Sequence, residues 1–142
     1  MICDELIKEV LGGVVSRIDS INGNRYVHIN SESLLKCMSI LSSSKGTQFL
    51  ALTDCFAVDF LKEKGVFSVY YQLRSYEFDT TIFVVTDMGA KEQIQSLTEI
   101  FENANWYERE IFDMFGIKFS GHPNMTRLFN ENLVDEFPLL KR

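Results

Sequence analysis

The spacing of hydrophobic residues changes several times in the first half of the chain, and each change predicts a new element. Apolar residues three and four positions apart indicate helices over residues 4–11 and 33–41. Short runs rich in β-branched residues predict strands over 14–18 and 26–29. Because the Asn22-Gly23 pair between them is typical of a two-residue turn, we expect these strands to form a hairpin.

The middle of the chain has the residue pattern of a sheet. A strand is predicted over residues 49–54, and residues 57–60 continue the sheet after a short break. Residues 66–74 and 81–86 are rich in β-branched and aromatic side chains, so we expect an antiparallel hairpin between them. A helix is then predicted over residues 92–101, with its apolar face formed by Ile94, Leu97, Ile100 and Phe101.

This order of elements predicts an α+β fold. We expect a small, mainly antiparallel or mixed sheet with helices packed on it, followed by an irregular, extended C-terminal tail. The core domain is predicted over residues 1–116 and the tail over residues 117–142. The tail contains both prolines and many apolar side chains with little periodicity. It therefore needs a covering surface, either its own sheet or a neighbouring subunit.

A helix predicted over residues 106–115 is the most informative stretch, and Gly116 is well placed to end it. One broad arc of this helix is apolar. The opposite arc contains Trp106, Arg109, Glu110 and Asp113. Arg109 and Asp113 are four positions apart, a spacing that allows an ion pair. Such charged arcs are most often solvated, so this pattern alone does not assign a function.

Glu108 lies inside the apolar arc, between phenylalanine side chains, and is the residue least explained by packing. A carboxylate in that position is costly unless a hydrogen bond or a cation satisfies it. Asn105 and Glu108 have the spacing of a capping box, so we expect Glu108 to bond back to the start of the helix. An acid–base pair of Glu108 and Glu110 is disfavoured, because residues two apart project to different sides.

Composition excludes several classes of function. The net charge is −6 and the basic residues do not cluster, so nucleic-acid binding is not expected. Cys3, Cys37 and Cys55 are dispersed and odd in number, which predicts reduced, mostly buried thiols. The chain contains no apolar run long enough to span a membrane, and its acidic N-terminus does not have the pattern of a signal peptide.

The residues from 104 to 117 read ANWYEREIFDMFGI and are followed by Gly121-His122-Pro123 and Arg127-Leu128. This pattern strongly resembles the signature of the 30 kDa-type subunit of respiratory complex I, the NADH:quinone oxidoreductase. The resemblance extends from about residue 49 to residue 129. This chain departs from the family pattern at Thr126, where the family usually has a basic residue, and in a shortened C-terminal segment.

The resemblance implies a non-catalytic structural subunit of the peripheral arm, which supports electron transfer from NADH to quinone. Its implied partners are the quinone-site subunit, which resembles a hydrogenase large subunit, and the subunit with the terminal iron–sulfur cluster. It implies no cofactor in this chain, because the partners hold the iron–sulfur clusters and FMN. Consistently, the sequence has no cluster-binding cysteine motif and no glycine-rich nucleotide fingerprint.

The resemblance also implies a location and a set of docking residues. Contact with the membrane would be only through the complex, on the cytoplasmic face of the bacterial inner membrane or the matrix face of the mitochondrial one. His122 is predicted to be a hydrogen-bonding turn residue, and His28 a structural strand residue. The expected partner-docking residues are Trp106, Glu108, Arg109, Glu110, Asp113, His122, Pro123, Arg127, Phe137 and Pro138.

Three other functions remain open at this stage. The host complex could be a membrane-bound hydrogenase or formate hydrogenlyase, since both share the Glu-Arg-Glu helix. A second possibility is a stand-alone small enzyme that uses Glu108 or Asp113. The third is a monomeric binding module with a flexible tail.

Overall fold

A two-residue turn at Asn22 and Gly23 joins the first two strands, as predicted. Both residues have positive φ, 52° and 82°, which is the conformation that a tight hairpin turn requires. Strand β1 (Val15–Ile21) and strand β2 (Asn24–Asn30) pair antiparallel across it. The structure is a computed structural model and describes residues 2–123.

Within residues 2–123, five strands form the main sheet in the order β1-β2-β5-β4-β3. The pairing is antiparallel except between β2 and β5, which run parallel. A separate pair of short strands, β6 and β7, is parallel. The remaining strands are β3 (Ala51–Phe60), β4 (Val66–Ser75), β5 (Thr80–Gly89), β6 (Gln93–Gln95) and β7 (Lys118–Ser120).

Four α-helices accompany these strands in residues 2–123, together with 3₁₀ turns at Gly12–Val14 and Ser31–Ser33. The predicted helix over residues 33–41 is shifted by one to two residues at its ends, because the 3₁₀ turn occupies its start. The helices are α1 (Asp4–Leu11), α2 (Leu34–Ser43), α3 (Leu61–Lys64) and α4 (Ala104–Phe115).

One face of the sheet is buried beneath helices, and the core lies between these two layers. Alternate residues of β4 point into it, and Val69, Tyr71 and Leu73 are each completely buried. Helix α2 contributes Leu34 and Leu41, which are equally inaccessible. The intervening β4 residues belong to the opposite face, which none of these helices covers in the described part of the chain. This arrangement confirms the predicted α+β fold with a mixed sheet.

The helix predicted over residues 92–101 is wrong. The structure has β6 there, followed by turns in which the N–H groups of Ile100 and Phe101 donate to the Leu97 carbonyl at 3.0 and 2.8 Å. Backbone N–H groups that would bond within a helix donate instead to residues farther along the chain. Ser96 N–H donates to the Ser120 carbonyl at 2.9 Å, and Leu97 N–H donates to a side chain of α4. Ile94 and Leu97 are nevertheless buried, as the pattern predicted.

A predicted break also disappears. Strand β3 is continuous, and the break expected near residue 55 is replaced by a register irregularity between Leu52 and Asp54. Ile117 and Phe119, just after the predicted boundary at residue 116, are buried, and β7 pairs with β6. The division into a core domain and a tail stays a prediction. Residues 124–142, which make up most of the predicted tail, lie outside the described residues. Within the described range, no helix is long and apolar enough to cross a membrane.

Replacing Leu73 tests the buried face of the sheet. Leu73 is completely buried, whereas Leu50 is 66% exposed and provides a control of the same residue type. Leu73→Ala should lower the free energy of unfolding by about 2–5 kcal/mol, because it leaves a cavity in the core. Leu50→Ala should change it by less than about 0.5 kcal/mol. Urea unfolding of both variants measures the difference, and equal losses would contradict the proposed core.

Candidate functional site

Helix α4 begins two residues earlier than predicted, at Ala104, and ends as predicted at Gly116. Gly116 has a φ of 79°, a left-handed conformation that favours glycine, and its N–H donates to the Phe112 carbonyl at 2.8 Å. The predicted capping box is wrong. Asn103 is the N-cap, it makes no side-chain capping bond, and Glu108 faces another segment of the chain.

Glu108 is completely buried and joins α4 to the segment after β6. The Ser96 hydroxyl donates to Glu108 Oε1 at 2.7 Å, and the Leu97 N–H donates to Oε2 at 2.7 Å. Both bonds span more than ten residues of sequence, so they fix the helix against the loop that precedes it. Each oxygen of the Glu108 carboxyl group therefore accepts a hydrogen bond from this chain. These two bonds explain how a carboxyl group can lie in the apolar arc of α4.

The protonation of Glu108 reflects the balance between burial and these two bonds. Burial raises the pKa of the carboxyl group from 4.5 to about 7, although the bonds from Leu97 and Ser96 act to lower it. Burial raises the pKa values of Cys55 and Tyr71, and the charge of the nearby Glu108 is a smaller contribution to both. These two residues are cross-strand partners on the core face, beneath α4.

His122 lies beside Glu108 with a completely buried side chain. Its Nε2 atom is 3.9 Å from Glu108 Oε1 and 3.3 Å from the carbonyl of Asn105. The His122 N–H also donates to the Phe119 carbonyl at 3.4 Å, which closes a turn after β7. This agrees with the prediction of a hydrogen-bonding turn residue. The chain therefore leaves β7 against the N-terminal half of α4.

The other side chains of α4 and its N-cap attach the helix to strand β3. Tyr107 donates its hydroxyl to the Thr53 carbonyl at 3.1 Å, and the Asn103 amide donates to the Leu52 carbonyl at 2.7 Å. Farther along, the Phe115 ring meets Phe67 of β4 edge to face, with 5.9 Å between centroids. The helix is thus held at both ends, and its orientation on the sheet is determined by core contacts.

The outward side of α4 matches the prediction only in part. Trp106 is 51% exposed, and Arg109 and Glu110 are half-buried. Asp113 was expected on the open arc, but it is completely buried, so that assignment is wrong. A helical wheel gives the directions of the side chains around α4 but does not show which other segments pack against the helix. It therefore could not show that Asp113 is covered. Its ion pair with Arg109 stays a prediction.

The structure thus brings together the predicted residues Glu108 and His122 and places Trp106 on the same helix. Pro123 is exposed just after His122. Arg127, Phe137 and Pro138 lie outside the described residues. The sequence did not identify Ser96 or the Leu97 N–H as partners of Glu108. A hydroxyl residue before an apolar one is too common to indicate such a bond.

The geometry does not provide a metal centre in residues 2–123, where no three His, Cys, Asp or Glu side chains are grouped to hold an ion. The three cysteines are free thiols. Burial raises the pKa of Cys37 to about 12 and that of Cys55 well above its ordinary value, so neither is a reactive thiolate at neutral pH. Cys3 differs from the expectation, because it is exposed.

Glu108→Gln tests the buried carboxyl group. The native chain keeps this proton up to about pH 7, whereas the unfolded chain releases it near pH 4.5. The native state therefore binds more protons in this interval, and the free energy of unfolding should fall as pH rises through it. The amide in Glu108→Gln does not titrate, so the variant avoids this loss of stability, which is on the order of 3 kcal/mol. The free energy of unfolding of the variant, relative to that of the wild type, should therefore rise from pH 4.5 to pH 8.

Urea unfolding at several pH values measures the effect. Glu102→Gln removes one exposed carboxyl group before α4 and corrects for the change in net charge. Parallel stability curves for wild type and Glu108→Gln would contradict a buried, proton-binding Glu108.

Comparison with protein families gives one match that covers most of the chain. Residues 27–142 match the family model described as "Respiratory-chain NADH dehydrogenase, 30 Kd subunit". The chain is 33% identical to NADH-ubiquinone oxidoreductase subunit 9 of Reclinomonas americana, over 84% of this chain and 58% of that protein. It is 31% identical to an NADH-quinone oxidoreductase subunit of Rickettsia prowazekii (strain Madrid E), over 99% of this chain and 73% of that protein.

Two further comparisons concern chain length and fold. The chain spans only 58% of the Reclinomonas protein and 41% of the mitochondrial 30.4 kDa subunit of Neurospora crassa. A chain in the structure of the membrane-bound sulfane sulfur reductase, an archaeal respiratory membrane complex, has a TM-score of 0.73 over 86% of this chain and 72% of that one. At 22% identity, that likeness shows a shared fold. From the family match and the relatives, we conclude that the chain belongs to the respiratory-chain NADH dehydrogenase 30 Kd subunit family.

Proposed function

We propose that this protein is a non-catalytic docking subunit of the peripheral arm of a proton-pumping NADH:quinone oxidoreductase. Its role is to hold neighbouring subunits in fixed relative positions, so that electrons pass from NADH to quinone through cofactors in those neighbours. Its proposed partners are the quinone-site subunit, which resembles a hydrogenase large subunit, and the subunit with the terminal iron–sulfur cluster. Contact with the membrane is through the complex.

The exposed ring of Trp106 on a firmly held helix is the observation that supports this proposal. Most large apolar residues in the described chain are buried, yet Trp106 is 51% exposed. Glu108, two residues along, ties the same helix to the core through two hydrogen bonds. A rigid helix that presents an aromatic ring with adjacent polar groups is typical of a binding hot spot.

The chemistry of α4 favours docking over catalysis. Glu108 is buried and accepts bonds from Ser96 and Leu97, so it is not placed to exchange a proton with a substrate. Asp113, the other residue considered for a stand-alone enzyme, is buried as well. Arg109 and Glu110 flank the exposed ring and would supply the polar rim of an interface. The absence of a cofactor in this chain remains part of the proposal.

The host complex is the part of the proposal that the fold alone does not decide. The neighbour of similar fold belongs to a sulfane sulfur reductase, so related folds occur in different membrane-bound respiratory complexes. The names of the relatives in Reclinomonas and Rickettsia favour the NADH-linked host. Purification of the tagged chain from native membranes, with partners identified by mass, should recover NADH-oxidising flavoprotein subunits. Recovery of hydrogenase subunits without them would favour the alternative.

Arg109→Glu tests the docking surface of α4. Reversing this charge should bring like charges together at the interface, which costs several kcal/mol, and should reduce the amount of assembled peripheral arm severalfold. Lys36→Glu is the matched control, because it reverses an exposed charge on helix α2. Native gel electrophoresis and NADH:quinone reductase activity of membranes measure the outcome. Normal assembly and activity in Arg109→Glu would contradict this role.

A further inference from the structure

An open groove of about 430 Å³ lies between the start of strand β3 and the turns that precede α4. Residues 50–52 line it on one side and residues 100–103 on the other. Leu50 is 66% exposed, and Ala51 and Ile100 are half-buried, so the groove presents an apolar surface to solvent. We call this surface the Leu50 groove.

The backbone of β3 is not open to an added strand at the Leu50 groove, although β3 is an edge strand of the main sheet. The Asn103 amide donates to the Leu52 carbonyl at 2.7 Å, and the Tyr107 hydroxyl donates to the Thr53 carbonyl at 3.1 Å. Strand addition needs unpaired backbone groups, and these two carbonyls are already bonded. An occupant of the groove therefore makes its contacts through side chains.

The charges around the Leu50 groove are acidic. Glu102 is the only charged residue among the described residues that line it. Glu99 is exposed three residues earlier, and neither carboxylate makes an ion pair within residues 2–123. Burial raises the pKa of the Tyr107 hydroxyl, and the charges of Asp54 and Glu110 raise it further, so two more carboxylates lie near this end of α4.

The Leu50 groove is continuous with the exposed ring of Trp106. Asn103 lines the groove and is the N-cap of α4, with helical φ and ψ of −70° and −9°. Trp106 follows three residues later, and residues three apart are neighbours on the surface of a helix. A partner that binds at Trp106 is therefore within reach of the groove.

The unpaired carboxylates determine which side chains can cover the groove favourably. An occupant without basic groups would remove water from Glu99 and Glu102 without replacing its hydrogen bonds, which is unfavourable. A lysine or arginine compensates for that loss, and the pairing becomes stronger where water is excluded. The apolar surface at Leu50 gains from contact with an apolar side chain. The occupant therefore needs both kinds of residue side by side.

We propose that the Leu50 groove binds a segment of a neighbouring subunit in which an apolar side chain is flanked by lysine or arginine. The apolar side chain would cover Leu50, and the basic groups would pair with Glu99 and Glu102. This proposal rests on the proposed function, since it requires the chain to be part of an assembly. It adds the chemistry of one partner segment to that function.

Three other occupants match these charges less well. A second copy has a net charge of −6, so repulsion opposes its approach to an acidic border. An anionic lipid surface is repelled by the same carboxylates. Residues 124–142 end in Lys141-Arg142, but three acidic side chains balance their three basic ones, so the segment as a whole is not attracted to an acidic border.

Site-specific photo-crosslinking in the native complex tests the proposal. The photoreactive residue p-benzoylphenylalanine is placed at Leu50 in the full chain, and the complex is purified from membranes after irradiation. The same residue at Tyr76, an exposed position between β4 and β5, is the matched control. We expect position 50 to give at least roughly fivefold more adduct, because a covered side chain lies within contact distance of its partner. The modified segment should belong to another subunit and contain lysine or arginine beside the modified residue.

Charge reversal in the same crosslinking chain tests the role of the carboxylates. Glu99→Lys combined with Glu102→Lys should lower the adduct yield per chain severalfold, because the new lysines would face the basic groups of the partner. Glu63→Lys combined with Glu77→Lys is the matched control, since it reverses two exposed charges elsewhere and changes the net charge equally. All four residues are exposed, so both double variants should fold, and urea unfolding checks this.

Each alternative outcome has a definite meaning. An assembled complex without an adduct at position 50 would overturn this proposal alone, as would an adduct to residues 124–142, to a second copy or to lipid. Equal adduct yields in the two double variants would overturn the basic character of the partner segment. The expected adduct in a different respiratory complex would support the groove and overturn the NADH-linked host. A chain recovered from membranes without any partner subunit would overturn both proposals.

Discussion

A buried carboxyl group, that of Glu108, joins α4 to the segment after β6 within residues 2–123. Its bonds to Ser96 and Leu97 hold α4 against that segment, and the bond from Leu97 occupies a backbone N–H that a helix would use. His122 packs beside the same group, so the direction in which the chain leaves β7 also depends on it. Burying a carboxyl group is unfavourable, and the raised pKa of Glu108 records this cost.

This arrangement gives the molecule two distinct outward features. Helix α4 is attached to β3 and to the β6 segment, and it presents Trp106 in a defined orientation. The stacked pairs Tyr26–Phe83 and Phe56–Tyr70 lie on the other face of the sheet. The sheet therefore separates α4 from this aromatic face.

The sequence predicted much of the fold because its strong local signals agree with the tertiary structure. The turn at Asn22 and Gly23, the helix over residues 4–11 and the end of α4 at Gly116 follow from backbone preferences of the residues themselves. The β6 segment was mispredicted because Ile94 and Leu97 have helical spacing, whereas their backbone bonds go to distant groups. Hydrogen bonds between residues far apart in the chain do not produce a periodic pattern in the sequence.

The sequence singled out Glu108 and His122, which the structure brings together, but it did not predict their geometry. Glu108 was identified as anomalous from its place in the apolar arc, yet capping, the nearest local explanation, was wrong. Asp113 was assigned to the open arc because a helical wheel does not show which neighbours cover it. The proposal of a docking role came from a family signature, which the physical pattern of the helix could not supply.

Hydroxyl-radical footprinting of Trp106 is the most direct measurement of the docking role of α4. The oxidation rate of this ring would be compared between the isolated full chain and the purified assembly, with the 71% exposed Tyr76 as an internal reference. We expect Trp106 to become severalfold less reactive in the assembly, relative to Tyr76. An unchanged ratio would show that no partner covers Trp106 and would contradict the proposed docking role of α4.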